Sequence, residues 1–327
     1  MTDMGKQKKY DVICIGQAAQ DILVTNVPKD AFMRETDTVR ADSLTMAPGG
    51  DAVNEAVVLS RLGERSSVLI RLDRRNVGDM IFQDLQDENV DVSLIVRPED
   101  CETFTAVIFV HPDGDHDFVV GPGKNYTLER KDVDFDVFRN TRAVSAASLY
   151  ALGELDTNGI AEIFRVAKEA GAYTFADANF DLKDIGPEAI GEVYPFIDYL
   201  MPSFDEAVYM TGKKDLDDIA DHFMELGAKN IVIKLGGEGC FFKNKKERFF
   251  VDPYLIQPKD TTGCGDNFAA AFIHSRLAGK AHKECAEFAC AAGALNSQGV
   301  GAHVYIRSEQ QILDYMETAK KRSIQRT

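Results

Sequence analysis

Short apolar runs of β character alternate with helical patterns along most of this chain, and that rhythm admits few folds. Residues 10–16 read as a buried strand ending at Gly16, and similar runs return at 67–70, 143–147, 172–176, 199–201 and 231–235. Between them, apolar residues recur at helical spacing over 53–62, 79–88, 158–170, 190–196, 216–226 and 283–296. Strand, helix and strand in succession predict a mostly parallel central sheet covered by helices on both faces, an α/β three-layer sandwich. With 327 residues and 45% hydrophobic content, the chain can bury the core that such a sandwich needs.

Two stretches break the rhythm. Residues 21–47 contain no convincing helix, only strand-like Ile22-Leu23-Val24 and Ser43-Leu44-Thr45-Met46. Residues 103–120 read as a hairpin, with an Asp113-Gly114 turn between two apolar arms. These pieces (21–47 and 102–120) are expected to pair into a small β-sheet outside the main domain of 1–20, 48–101 and 121–327. They leave and re-enter near Gly16 and Gly49, which favours a lid that keeps water from a site. A sheet serving only as a dimer contact is the alternative, and its exposed edge invites a homodimer in either case.

The net charge of −16 leaves no basic face for nucleic acid, and the short basic clusters at 6–9, 243–248 and 320–322 read as solvated surface or tail. No apolar run approaches the roughly 20 residues of a membrane span, and the polar N-terminus is no signal peptide. The 6 cysteines, at 14, 101, 240, 264, 285 and 290, form no Cys-x-x-Cys pair and do not cluster with histidines. Zinc and disulfide frameworks are therefore not expected, and a reducing cytoplasm is.

The chemistry gathers at two glycine turns. In Asp260-Thr261-Thr262-Gly263-Cys264-Gly265-Asp266, the residues Gly263, Cys264 and Gly265 open a helix whose first N–H groups suit phosphate oxygens. Asp266 lies in the first turn, where a carboxylate could take a proton from an attacking hydroxyl. Taken alone, the segment is equally a plain helix start with an acidic residue for the dipole. In Pro48-Gly49-Gly50-Asp51-Ala52-Val53-Asn54, the glycines let backbone approach a small ligand, and Asp51 with Asn54 offers the acceptors and donors that a polyol wants. Asp21, just past Gly16, could add an acceptor at the carboxyl edge of the first strand. Singly, Asp51 and Asn54 are more often ordinary caps; two such sites together point to a two-substrate enzyme.

These sites, in this order, resemble the ribokinase-like (PfkB) carbohydrate kinase family. The likeness spans roughly 10–306 and includes Gly16 to Asp21, Gly49-Gly50 with Asn54, the hairpin, Gly236-Gly237-Glu238-Gly239 and the segment 260–266. It implies ATP-dependent phosphorylation of a sugar or nucleoside hydroxyl. Asp266 matches the family's catalytic base, and the amides of Gly263, Cys264 and Gly265 match its anion hole. Asp21, Gly50, Asp51 and Asn54 fall at sugar-binding positions. Lys234, Gly236 and Gly239 fall on the nucleotide loop, and 289–301, with Asn296, should line the adenine pocket. Glu206 matches the Glu of the family's Asn-x-x-Glu element, linked to Mg2+ and phosphate. Many members also bind a monovalent cation such as K+, for which Asp260, Thr262 and Gly301 are the first places to look.

Three residues depart from the family pattern: Ser203 stands for the Asn of Asn-x-x-Glu, Lys234 for a common Thr, and Cys264 for Ala or Gly. Cys264 is expected to be a packing residue, with a thiol activated by the helix terminus as the alternative. A nucleoside kinase, using Phe104 and Phe109 of the lid as walls, is the runner-up. A phosphosugar kinase lacks a cation at the first glycine site, with Arg40 the nearest, and Asp177-Ala178-Asn179-Phe180 lacks the Arg of many fructokinases. A silent sugar-binding protein is disfavoured by the intact Asp266. A dinucleotide-dependent dehydrogenase is disfavoured because 16–21 has no Gly-x-Gly-x-x-Gly turn.

Overall fold

The structure, a computed structural model, describes residues 8–33, 38–181 and 183–324. In chain order its elements are β1 (Tyr10–Ile15), β2 (Ala19–Thr25), β3 (Ser43–Gly49), α1 (Asp51–Arg61), β4 (Ser66–Leu69), α2 (Asn76–Asp87), β5 (Thr105–Val110), β6 (His116–Val120), β7 (Thr141–Leu149), α3 (Leu155–Asn158), α4 (Ile160–Glu169), β8 (Tyr173–Ala178), β9 (Tyr199–Leu200), α5 (Phe204–Thr211), α6 (Leu216–Leu226), β10 (Asn230–Lys234), β11 (Cys240–Asn244), β12 (Arg248–Val251), α7 (Cys264–Leu277), α8 (His282–Asn296) and α9 (Glu309–Thr318). Short 3-10 turns fill several connections.

The large sheet runs β12-β11-β10-β9-β8-β7-β1-β4. It is parallel from β4 to β10 and ends in an antiparallel hairpin, β11–β12. Strand alternation sends Val12 and Cys14 into one core with α1, α7 and α8, and Ile13 and Ile15 into the other with α4 and α6. Burial on both faces explains why these strands read as continuous apolar runs. The parallel order places the carboxyl ends of β1, β8 and β10 along one edge, where such sheets bind ligands.

Two expectations need correction. The pattern at 190–196 is a run of 3-10 turns, Pro187–Phe196, because Pro195 has no N–H to donate and its ring crowds the preceding turn. The stretch 158–170 divides at Gly159 into α3 and α4. The basic cluster 243–248 flanks the turn of the β11–β12 hairpin, with 245–248 exposed as solvated surface. Lys243 pairs there with Asp217 (2.8 Å) and Asp221 (2.7 Å), and Arg248 with Asp217 (2.8 Å).

The irregular stretches form a second sheet, ordered β3-β2-β5-β6. β2 lies antiparallel to β3 and parallel to β5, and β5–β6 is the hairpin. β2 begins at Ala19 and β3 runs to Gly49, so this sheet reaches into the glycine turns themselves. Leu23, Ala106, Ile108 and Val110 make its small core. Leu44 (64% exposed), Met46 (58%) and Val119 (57%) remain outside. Among the described residues no helix is long and apolar enough to cross a membrane.

Candidate active site

Two helix starts meet at the edge between the sheets. At the first, Gly263 caps α7 with φ 70°, and a Cβ there would lie 2.2 Å from the Ala302 carbonyl oxygen, so only glycine fits. The N–H groups of the following turn have no carbonyl four residues back, which leaves donors at the positive end of the dipole. Asp266 stands in that turn, half-buried.

At the second, Gly50 caps α1 with φ 99°, and a Cβ would meet the Gln17 carbonyl oxygen at 2.5 Å. Asp51 accepts from the Asn179 amide at 3.2 Å. Asp21 lies against this turn, its Oδ2 1.9 Å from where a Cβ on Gly49 would stand. One side chain joins the two starts: Asn54 Nδ2 donates to Asp266 Oδ2 at 2.6 Å. Residues 212 apart in sequence thus share one cleft.

Lys234, at the carboxyl end of β10, forms an ion pair with Asp177 at the end of β8. Its Nζ lies 3.3 Å from the position of a Cβ on Gly265, so the ammonium stands over the start of α7. Burial acts to neutralise this lysine, but Asp177, Glu206 and Asp266 outweigh it and hold the group charged. Glu206 and Ser203 close a capping box at the start of α5: Ser203 N–H donates to Glu206 Oε2 at 2.7 Å, and Glu206 N–H to Ser203 Oγ at 3.3 Å. The serine that departs from the family pattern is therefore the cap. Gly236 and Gly239 bracket the turn after β10, and Leu235 N–H closes it on the Gly239 carbonyl at 2.9 Å.

The site is acidic. Burial, then Asp51 and Glu55, raise the Asp266 carboxyl far above the usual range, against the pull of Asn54 and Lys234. Burial and then Asp51 and Asp260 push Asp21 to about 7. Asp51 is also raised, chiefly by burial. Beneath them Glu55 is fully buried with Ser145 and Cys14 beside it, and burial above all pushes it to about 8, against the pull of the Ser145 hydroxyl.

A family model described as pfkB family carbohydrate kinase matches residues 9–307 of this chain. The chain belongs to that family. It is a sugar or nucleoside kinase of the PfkB type, a phosphotransferase with an alcohol acceptor. Its relatives include a ribokinase of Staphylococcus aureus (strain COL), 26% identical over 273 residues, which are 81% of this chain and 86% of that one. A probable fructokinase-4 of Arabidopsis thaliana is 26% identical over 307 residues, 89% of this chain and 93% of that one. Among solved structures, a putative ribokinase II from E. coli in complex with ATP and Mg2+ superposes with a TM-score of 0.80 at 21% identity, covering 94% of this chain and 99% of that one. The kinase thus has the ribokinase fold, a mostly parallel sheet with helices plus a separate small sheet.

The residues expected at a monovalent cation lie together in this kinase. Asp260 Oδ1 accepts Thr262 N–H at 2.9 Å and Oδ2 accepts Gly301 N–H at 2.8 Å, while Thr262 Oγ1 is buried without a partner among the described residues. Asn296, expected at the adenine, is fully buried, and its Nδ2 donates to the carbonyls of Thr262 (3.1 Å) and Ala302 (3.2 Å) behind the start of α7. The Cys264 thiol is not activated; burial above all pushes it to about 12. Phe104 packs on Tyr126 with centroids 4.7 Å apart. Phe109 falls on the other face of its strand from Ala106, the residue registered with Asp21, so Phe104 and Phe109 form no common wall. The small sheet touches the start of α7 at its tip, where Thr261 Oγ1 donates to the Gly114 carbonyl at 3.2 Å. Sequence reasoning missed Asp177 as the partner of Lys234, Asn179 as the partner of Asp51, and His303, which bonds Asn54. Only Asp177 and Asn179 had a signal, both being polar at the end of an apolar strand.

Proposed function

We propose that this kinase moves the γ-phosphoryl group of ATP to a hydroxyl of a free, neutral sugar, with Asp266 as general base. The contact between Asn54 and Asp266 carries the proposal, because it joins the polyol-type helix start to the phosphate-type one. The sugar docks against Asp21, Asp51 and Asn54 beneath the small sheet. Asn54 occupies Oδ2 of Asp266, so Oδ1 accepts the proton as the hydroxyl attacks in line. The amides of Gly263, Cys264 and Gly265 hold the charge of the moving group. Lys234 swings its ammonium from Asp177 toward the same oxygens, and the turn at Gly236 and Gly239 seats the nucleotide.

Among the described residues no group of three or more His, Cys, Asp or Glu could hold a metal alone. A magnesium ion suits the hard oxygens of the nucleotide phosphates with Glu206 nearby, and it supplies neutralisation of phosphate charge. Asp260, Thr262 and Gly301 would hold a potassium ion, the Thr262 hydroxyl having no partner among the described residues, and its charge would steady the anion hole.

Two acidic acceptors repel a phosphosugar, and the divided placement of Phe104 and Phe109 weakens a nucleoside pocket. The apolar outer face of the small sheet supports a homodimer formed there. Six free thiols suit a reducing cytoplasm. The test is ADP release with ATP–Mg2+ against pentoses, hexoses, sugar acids and nucleosides. Turnover with a neutral sugar is expected; preference for nucleosides, or sugar binding without turnover, overturns the proposal.

A further inference from the structure

The amide that bonds the base is itself held from behind. Asn54 Oδ1 lies 2.7 Å from Nδ1 of His303, a histidine only 4% exposed. To act as the base Asp266 must be ionised, and a carboxylate only accepts, so in that state Asn54 turns Nδ2 toward Asp266 and Oδ1 toward the histidine, the orientation found here. That oxygen accepts, so His303 must carry its proton on Nδ1. The ring is buried, which favours its neutral form, and the contact with Asn54 puts its one proton on Nδ1.

The strap that bears His303 is pinned on both sides. Gly301 N–H donates to Asp260 at 2.8 Å. The Ala302 carbonyl accepts from the Asn267 amide at 2.6 Å, and Arg61 donates to the carbonyls of His303 and Ile306. The ring therefore cannot easily leave Asn54.

We propose that His303 is a positioning residue that fixes the Asn54 amide and, through it, the carboxylate of Asp266. This rests on Asp266 as the base. An amide is nearly symmetric in shape, so without His303 it can turn over whenever Asp266 carries its proton, with Oδ1 accepting the acid's O–H. That holds the proton on the base and removes the donor which favours its ionised form. The charged groups around Asp266 are Asp51 and Glu55 on α1 and Lys234 on β10. Those around His303 are Arg61 on α1, Asp84 on α2, Glu88 just after it, and Arg307. Asp84 Oδ2 stands 3.9 Å from Nε2, too far for a hydrogen bond, so the ring is held through Nδ1.

The experiment is a kinetic series with an NMR measurement on the unaltered protein. His303→Leu should lower kcat by about tenfold, part of the about 10²–10⁴-fold that a positioned base contributes, with KM for ATP unchanged. The acid limb of its pH–rate profile should move up by about half a unit, since the ionised base has lost a donor. His303→Gln, which can still donate to Asn54 Oδ1, should restore most of both. A folded Leu variant with normal kcat and an unshifted limb overturns the proposal, as does a Gln variant no better than Leu. If His303→Leu does not fold, 15N-histidine NMR of the wild type decides: Nδ1 protonated and Nε2 bare at neutral pH is expected, and the opposite tautomer overturns it. Asp266→Asn run alongside keeps the premises apart. Normal turnover there removes the base, whereas an Nε2-protonated ring removes the positioning role even with the base intact.

Discussion

The starts of α1 and α7 are alike in sequence and unlike in setting. Each has a glycine cap with positive φ and an aspartate in the first turn. Around Asp51 stand the Asn179 amide and, nearby, the carboxyl of Asp21, all groups that a hydroxylated ligand can satisfy. The start of α7 instead has a charged lysine above it and a carboxylate already bonded to one amide. A glycine turn thus marks a helix terminus that can face a ligand, and the side chains brought from other strands decide which ligand. Binding is expected to live at α1 and chemistry at α7.

The sharpest break of that division is Asp266→Asn. It should cut kcat by at least about 10²–10⁴-fold, the worth of a general base, while circular dichroism stays native. Normal turnover would return α7 to an ordinary anion site. Next, Asp51→Asn should raise the sugar KM by about tenfold, the effect of one lost charge-assisted hydrogen bond, with a smaller change in kcat. It should also move the acid limb of the rate profile to lower pH, because a neighbouring anion that raises the Asp266 pKa is gone. A kcat loss equal to that of Asp266→Asn would show that the two starts do not divide the labour.

A smaller effect tests the floor of the α1 site. The Glu55 carboxyl rises from 4.5 to about 8 on folding, so its protonated form is favoured in the folded chain. The stability it contributes is full below about pH 4.5 and is lost as pH climbs through about 8. Glu55→Gln should therefore raise Tm at pH 8 by about 2–5 °C and leave it nearly unchanged at pH 5. A drop in Tm at both pH values in thermal melts would mean that Ser145 and Cys14 hold the carboxyl in a way the amide cannot replace. The smallest change belongs to α7: Cys264→Ala should keep turnover within about twofold, since the anion hole uses the backbone N–H. A large loss would give the thiol a task.

Most of the parallel sheet was legible because burial on both faces leaves a plain apolar run, as at 10–15 and 231–233. The β11–β12 hairpin was not, because Lys243 and Arg248 at its turn masked the paired phenylalanines, and their partners Asp217 and Asp221 lie on α6. Of the candidate site, the glycine turns and Asp266 announced themselves by local chemistry. What was hidden depends on contact across the chain: Lys234 meets Asp177 57 residues away, and His303 meets Asn54 249 away. No local pattern encodes such pairs. Ser203, singled out as a departure from the family pattern, is also a helix cap, a role its spacing to Glu206 could have shown.

One more consequence follows from how the small sheet is tied in. Asp21 rides on β2, Asp51 stands on α1 in the main body, and β3 runs straight into the Gly49-Gly50 joint beside both. The two carboxylates are the jaws of a caliper with its pivot at the glycines. A tilt of the small sheet would change the gap between them, so a sugar held there as proposed would set how far the jaws close.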